Sequence, residues 1–183
     1  SNAGSTVESV TYQVTPSANG CPPGNTQNVL VNIRPRPVVT NAVTSFAICN
    51  NSSTSIFLLA DVPGSAFAWR AFASSPSVSG YVSSSGASII QTLVNSGFTV
   101  ETVTYRVGAT AFACTGDSTD FTVTVFPVAD AFYSPPSQAI CPLQTTSILV
   151  QSHVAGASFA WTATPSSARV TGYSGGAGNL ILK

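Results

Sequence analysis

Charge is what this sequence has least of. Asp, Glu, Lys and Arg together make up 7% of the 183 residues, against roughly 25% in an ordinary soluble domain. Acids and bases are equal in number, and Lys and Arg form no run. A nucleic-acid interface needs a positive stripe to neutralise phosphates, so that class of partner is not expected. Histidine occurs once, at His153, which leaves no His–His or Cys–His pair to hold a metal or activate a nucleophile. No apolar stretch in the sequence approaches the ~18 residues that span a bilayer, so membrane insertion is not expected. Methionine is absent, and Ser1-Asn2-Ala3 look like the remnant of a removed expression tag, set aside from the fold. The last residues, Asn179 to Lys183, stop inside an apolar run, so both ends read as cut points in a longer polypeptide.

In place of charge stand Thr, Ser, Val, Ala and Gly, within an apolar fraction of 44%. β-Branched and small hydroxyl residues suit a pleated, half-buried surface better than a helix. The chain is therefore expected to be all-β, with ample apolar content for a core.

A long internal period organises the chain. Val10-Thr11-Tyr12-Gln13-Val14 returns as Val103-Thr104-Tyr105-Arg106-Val107, and Cys21 as Cys114, each 93 residues on. Ala47-Ile48-Cys49 returns as Ala139-Ile140-Cys141, and Phe67-Ala68-Trp69 as Phe159-Ala160-Trp161, each 92 residues on. Val78-Ser79-Gly80-Tyr81 returns as Val170-Thr171-Gly172-Tyr173 at the same 92-residue offset. A register held over so many short matches predicts tandem domains of about 92 residues. One complete unit is expected over 38–128, preceded by the last part of a repeat at 4–37 and followed by the first part of another at 129–183. Arg34-Pro35-Arg36-Pro37 and Phe126-Pro127-Val128 read as stiff linkers, because proline cannot donate to a ladder.

Inside the complete unit, the strand candidates are Phe46–Cys49, Ser55–Ala60, Ala66–Phe72, Val78–Val82, Ser88–Val94, Thr102–Ala109 and Asp120–Phe126. Val103, Tyr105 and Val107 alternate with Thr102, Thr104 and Arg106, and Phe121, Val123 and Val125 alternate with Thr122 and Thr124. That is the pattern of a strand with one face in a core and one in water. Seven short strands with a Trp on the third predict an immunoglobulin-like β-sandwich.

The order of these pieces resembles the immunoglobulin-like, PKD-like repeats of very large secreted proteins of the Bacteroidota. The likeness rests on Ile48-Cys49 and Ile140-Cys141, the turn at Pro63-Gly64, the aromatic-x-Trp strand at Phe67-Ala68-Trp69, the Val-Thr-Tyr-x-Val strand, a following Cys and a closing Thr-Val-Thr-Val strand. It covers nearly the whole chain. It implies a secreted, surface-associated spacer or adhesion module without catalysis or cofactors. Asp117-Ser118-Thr119 also looks like a short O-glycosylation acceptor pattern of this bacterial group.

A catalytic or binding group used by every repeat would recur at matched positions. The charged residues do not: Asp61 matches His153, Arg70 matches Thr162, Arg169 matches Ser77, and Arg106 matches Gln13. Only Glu8 and Glu101 recur, each at the same strand start. What recurs otherwise is Trp, Tyr, Gly, Cys and apolar residues, which pack and turn. Trp69 and Trp161 are read as core plugs rather than glycan platforms, and Tyr12 and Tyr105 as tyrosine corners with hydroxyls tied to nearby backbone. Tyr81 and Tyr173 lie in Gly/Ser-rich surroundings and are the candidate ligand-facing aromatics. Asp117 and Asp120 are a weak calcium candidate, since two carboxylates fall short of the 6–8 oxygens calcium takes.

Cys21, Cys49, Cys114 and Cys141 recur without histidine partners and read as disulfide formers in an oxidising compartment. Val14 and Val107 occupy the place of the usual intersheet cysteine, so another connectivity is required. Cys49 with Cys114 closes the complete unit; the alternative is a bond across a joint between neighbouring repeats.

The expected function is that of a non-catalytic structural or adhesive spacer; a carbohydrate-binding module of a secreted adhesin or polysaccharide-degrading enzyme is the alternative. The expected partners are neighbouring repeats, glycans or other surface proteins. A strand-exchanged homo-oligomer is also expected, because segments 4–37 and 129–183 add up to about one repeat and each alone leaves an apolar edge open.

Overall fold

The structure is a computed structural model that describes residues 1–183. It contains strands and no helix. The first hairpin is β1 (Glu8–Val14) with β2 (Gln27–Ile33). The central unit holds β3 (Ser45–Cys49), β4 (Ser52–Ser53), β5 (Ile56–Phe57), β6 (Ala66–Ala73), β7 (Val78–Ser79), β8 (Ser84–Ser85), β9 (Ser88–Ile89), β10 (Thr92–Asn95), β11 (Glu101–Ala111), β12 (Cys114–Thr115) and β13 (Thr119–Phe126). The last segment holds β14 (Phe132–Ser134), β15 (Ile148–Gln151), β16 (Ala160–Trp161), β17 (Gly176–Ala177) and β18 (Leu180–Ile181).

The central unit is a β-sandwich of the immunoglobulin-like kind. Its larger sheet runs β3-β13-β11-β6-β8, with β12 folded back on the end of β11. The smaller layer consists of β4-β10-β7 and β5-β9. Alternation on the long strands aims Val103, Tyr105, Val107 and Ala109 from β11, and Phe121, Val123 and Val125 from β13, into one core. They meet Phe67 and Trp69 from β6, and Ile56, Ile89, Leu93 and Val78 from the smaller layer. Neighbours in the large sheet are antiparallel, except that β3 runs parallel to β13, Cys49 lying beside Phe126.

Three expected strands are shorter or split, each for a local reason. Ser55–Ala60 shrinks to β5, with β4 a separate strand before it, because buried Thr54 leaves the ladder pattern: its hydroxyl donates to the Ile89 carbonyl and accepts from the Gln91 N–H. The same interruption divides Ser88–Val94 into β9 and β10. Val78–Val82 stops at Ser79, since Gly80 takes φ +87° and passes so close to the Thr92 carbonyl that a Cβ would lie 2.0 Å from that oxygen. Only glycine fits that turn.

The end segments are thinner. β1 pairs only with β2, and both strands are exposed on both faces. Residues 130–183 make a three-stranded sheet, β14-β15-β18, and the short β16-β17 pair. Within one copy, no strand of 130–183 pairs with β1 or β2.

Candidate functional site: the joint at residues 34–37

A set of polar contacts outside the sheets lies where the chain enters the central unit. β11 and β12 form a hairpin whose two-residue turn, Phe112-Ala113, has positive φ at both positions (50° and 63°). This is the left-handed pair that a tight hairpin requires. The linker lies along that hairpin. Pro35 and Pro37 are fully buried, while Arg34 and Arg36 point outward between them. The Arg34 guanidinium donates to the Phe112 carbonyl (2.8 Å). Arg36 donates through Nε to the Thr115 carbonyl (3.1 Å) and through Nη2 to the Asp117 carboxylate (2.9 Å). Pro37 passes so near Gly116 that a Cβ there would meet the Pro37 carbonyl oxygen at 1.7 Å. Two buried prolines, two arginine contacts and the close approach to Gly116 seat the linker against the hairpin.

The exit side uses different residues. Asp130 accepts from the backbone N–H and the ring Nδ1 of His153 (2.9 and 2.6 Å) and from the Ser152 hydroxyl. The His153 ring stacks between Phe98 of the central unit and Phe132 of the last segment, with centroids 4.8 and 4.6 Å away. The side-chain bond from His153 leads the effects that pull the Asp130 carboxyl down to about 2. His153 matches Asp61 by sequence, and Asp61 accepts the Val38 N–H at the corresponding place on the entry side. The lone histidine, still exposed, thus touches both the central unit and the last segment.

The other sequence candidates fall into place one by one. Trp69 is buried and donates its indole N–H to the Val82 carbonyl (3.0 Å). Trp161 is half-buried with its indole nitrogen unpartnered. Tyr105 is fully buried, and desolvation pushes its hydroxyl up to about 12. Its hydroxyl does not reach nearby backbone, which corrects the tyrosine-corner expectation. It donates to the Gln91 side chain (3.0 Å), which in turn bridges both backbone groups of Val82. Tyr12 stands exposed on β1. Tyr81 is half-buried and packed against the core, so it offers no free platform; Tyr173 is exposed.

Asp117 and Asp120 do not converge. Asp117 pairs with Arg36, and Asp120 accepts two bonds from Arg106 (both 2.8 Å), so each carboxylate faces its own guanidinium. No group of three or more His, Cys, Asp or Glu side chains lies close enough to hold a metal ion. The recurring glutamates have a local role: Glu101 accepts from Thr99 and Ser74 at the start of β11, and Glu8 accepts from Thr6 at the start of β1.

All four cysteines are free thiols. Cys49 lies beside Phe126, the last residue of β13, whereas Cys114 lies beyond the opposite end of that strand. Seven residue steps of strand separate Thr119 from Phe126, about 23 Å at the usual rise. A disulfide spans at most about 7 Å between Cα atoms. The pairing of Cys49 with Cys114 within the unit is therefore overturned by the parallel placement of β3 on β13.

One concave surface escaped the sequence reading. On the outer side of the large sheet, Trp69, Arg70, Phe72, Ser83, Ser84 and Arg106 line an open groove of about 630 Å³. Phe72 and Arg70 had no signal in the sequence, because neither recurs 92 residues on.

A buried aromatic core between two β-layers, entered through a docked linker, defines an immunoglobulin-like sandwich module. A family model of the PKD-like domain matches residues 46–129, the central unit nearly end to end. PKD-like domains are generally non-catalytic structural modules and typically occur in extracellular or surface proteins. No curated protein matches the chain. No helix of the structure is long and apolar enough to cross a membrane.

Proposed function

We propose that this chain is a stretch of a tandem array that serves as a non-catalytic structural spacer in a large exported protein at a bacterial cell surface. The observation that carries this reading is the docked linker: Pro35 and Pro37 buried, Arg34 and Arg36 clamped on the 112–117 hairpin. A chain of catalytic or binding domains needs no such fixed entry angle, whereas a spacer gains reach from every joint that cannot bend. The recurrence of packing residues, with reactive ones left unmatched, supports the same reading.

Small-angle scattering of the whole chain tests it. The native chain should give one well-defined maximum dimension, and Arg34→Ser with Arg36→Ser should broaden the distance distribution while circular dichroism stays unchanged. Equal flexibility in both proteins would overturn the stiff-joint reading.

A carbohydrate-binding module is the second reading, favoured by the groove beside the exposed ring of Phe72. A glycan array on which the chain binds, and on which Phe72→Ala does not, would transfer the assignment to it.

A further inference from the structure

The four cysteines look idle in one copy, yet the register of the end segments gives each a partner in a second copy. β1 and β2 stand to each other as β11 and β13 do: Tyr12 faces Val29 as Tyr105 faces Phe121, and Val10 faces Val31 as Val103 faces Val123. Carrying this register on, Arg34 occupies the position of Phe126, the residue beside which Cys49 ends β3. Whatever strand completes β2 as β3 completes β13 therefore delivers its cysteine beside Arg34. Arg34 already touches the Phe112 carbonyl, two residues before Cys114.

The matching donor is in the chain. Gln138-Ala139-Ile140-Cys141 is the counterpart of Phe46-Ala47-Ile48-Cys49, but it forms no strand, and Cys141 is exposed. Residues 130–183 also carry an open cavity of about 290 Å³ lined by Val150, Val154 and Phe159. Their counterparts Leu58, Val62 and Phe67 are buried in the central unit, where Leu58 and Phe67 pack in one cluster with Val107 and Ala109 of β11. In the central unit that face is covered by the β11–β13 hairpin, and β1–β2 is a hairpin of the same register. Counting from Gly4, only Thr92–Ser96, which include β10, have no counterpart in either end segment.

We infer that copies of this chain join head to tail, the β1–β2 hairpin of one copy completing residues 130–183 of the next, and that two disulfides lock each junction: Cys114 with Cys141, and Cys21 with Cys49. Both follow one rule. The cysteine that ends the first strand of a repeat bonds the hairpin cysteine of the repeat that follows, across the docked linker. Each bond forms by thiol–disulfide exchange with a small oxidised disulfide such as oxidised glutathione. One cysteine thiolate displaces a glutathione thiol to give a mixed disulfide, and the second thiolate displaces the other, so two protein thiols are oxidised and one glutathione disulfide is reduced to two thiols. This inference rests on the tandem-array reading and adds a covalent connectivity to it.

The test is oxidation of the purified chain in glutathione buffer, followed by a non-reducing gel and mass mapping of linked peptides. The expected result is covalent species of more than one copy carrying Cys114–Cys141 and Cys21–Cys49 linkages. Cys49→Ser should remove the second linkage and leave the first at its native yield; Cys141→Ser should do the reverse. Four free thiols in a monomer, a Cys49–Cys114 bond within one copy, or all pairings in similar yield would each overturn the inference. These failures leave the scattering result untouched, whereas a loose joint in scattering undermines the array reading itself.

Discussion

The central unit and the two end segments share a set of short motifs in the same order, yet they differ sharply in what those residues do. Tyr105 and Val107 are fully buried, while Tyr12 and Val14 are 57% and 53% exposed. Phe46 to Cys49 lie in a strand, but Gln138 to Cys141 do not. The difference is the partner: β3 has β13 beside it, and residues 138–141 have nothing of that kind. Strand preference thus describes fit to a half-buried surface more than a property of the segment itself. The hairpin β1–β2 keeps its internal ladder because both of its strands are present, but a two-stranded ribbon has no core of its own.

The largest expected contrast is between the two tryptophans. Trp69→Ala should destabilise the central unit by about 3–5 kcal/mol, as for other buried aromatics, and lower its melting temperature. Trp161→Ala in an unassociated copy should leave the main thermal transition where it is, measured by circular dichroism. Equal effects would mean that the end segment is as well packed as the unit.

A smaller contrast separates two matched glycines. Gly80 and Gly172 both hold positive φ (87° and 82°), but only Gly80 faces backbone at the distance of a Cβ. Both alanine variants strain the backbone by about 1–3 kcal/mol. Gly80→Ala must also push the chain off Thr92, so denaturant melts should show a distinctly larger loss for it than for Gly172→Ala. Should the two lose stability alike, the close approach between the turn and β10 is not a constraint.

The smallest effect is acid sensitivity at the exit joint. The bonds to His153 and Ser152 hold the Asp130 carboxyl down to about 2 from an ordinary 3.8. Their contribution is therefore complete above about pH 4 and is lost as pH falls through about 2. Ring signals of Phe98 and Phe132 should shift in that window by nuclear magnetic resonance, and Asp130→Asn should abolish the shift.

Much of this was readable before any coordinates. The sandwich and the buried alternation of β11 and β13 follow from residue spacing, because a two-residue repeat with one wet face has few other solutions. Trp69 in the core follows from its place on the third strand. What spacing does not encode is side-chain reach. Gln91 takes the Tyr105 hydroxyl because Thr54 breaks the ladder there, and nothing in either residue announces it. The linker was legible as proline-rich but not as docked, since Arg34 and Arg36 find their acceptors about 80 residues further on. The cysteines were legible as a set. Their separation depends on β3 running parallel to β13, a matter of topology that local sequence leaves open.

That parallel pair has a mechanical consequence. The chain enters β3 at Ser45 and leaves β13 at Phe126, and because the two strands run the same way these points lie at opposite ends of their shared ladder. Tension applied through the linkers pulls the strands lengthwise past each other. All the registered pairs from Ser45–Thr122 to Cys49–Phe126 then bear load together, instead of parting one after another as they would in a hairpin pulled open from its tip. A module wired in this way resists stretching along the one direction in which an array of such modules would be pulled.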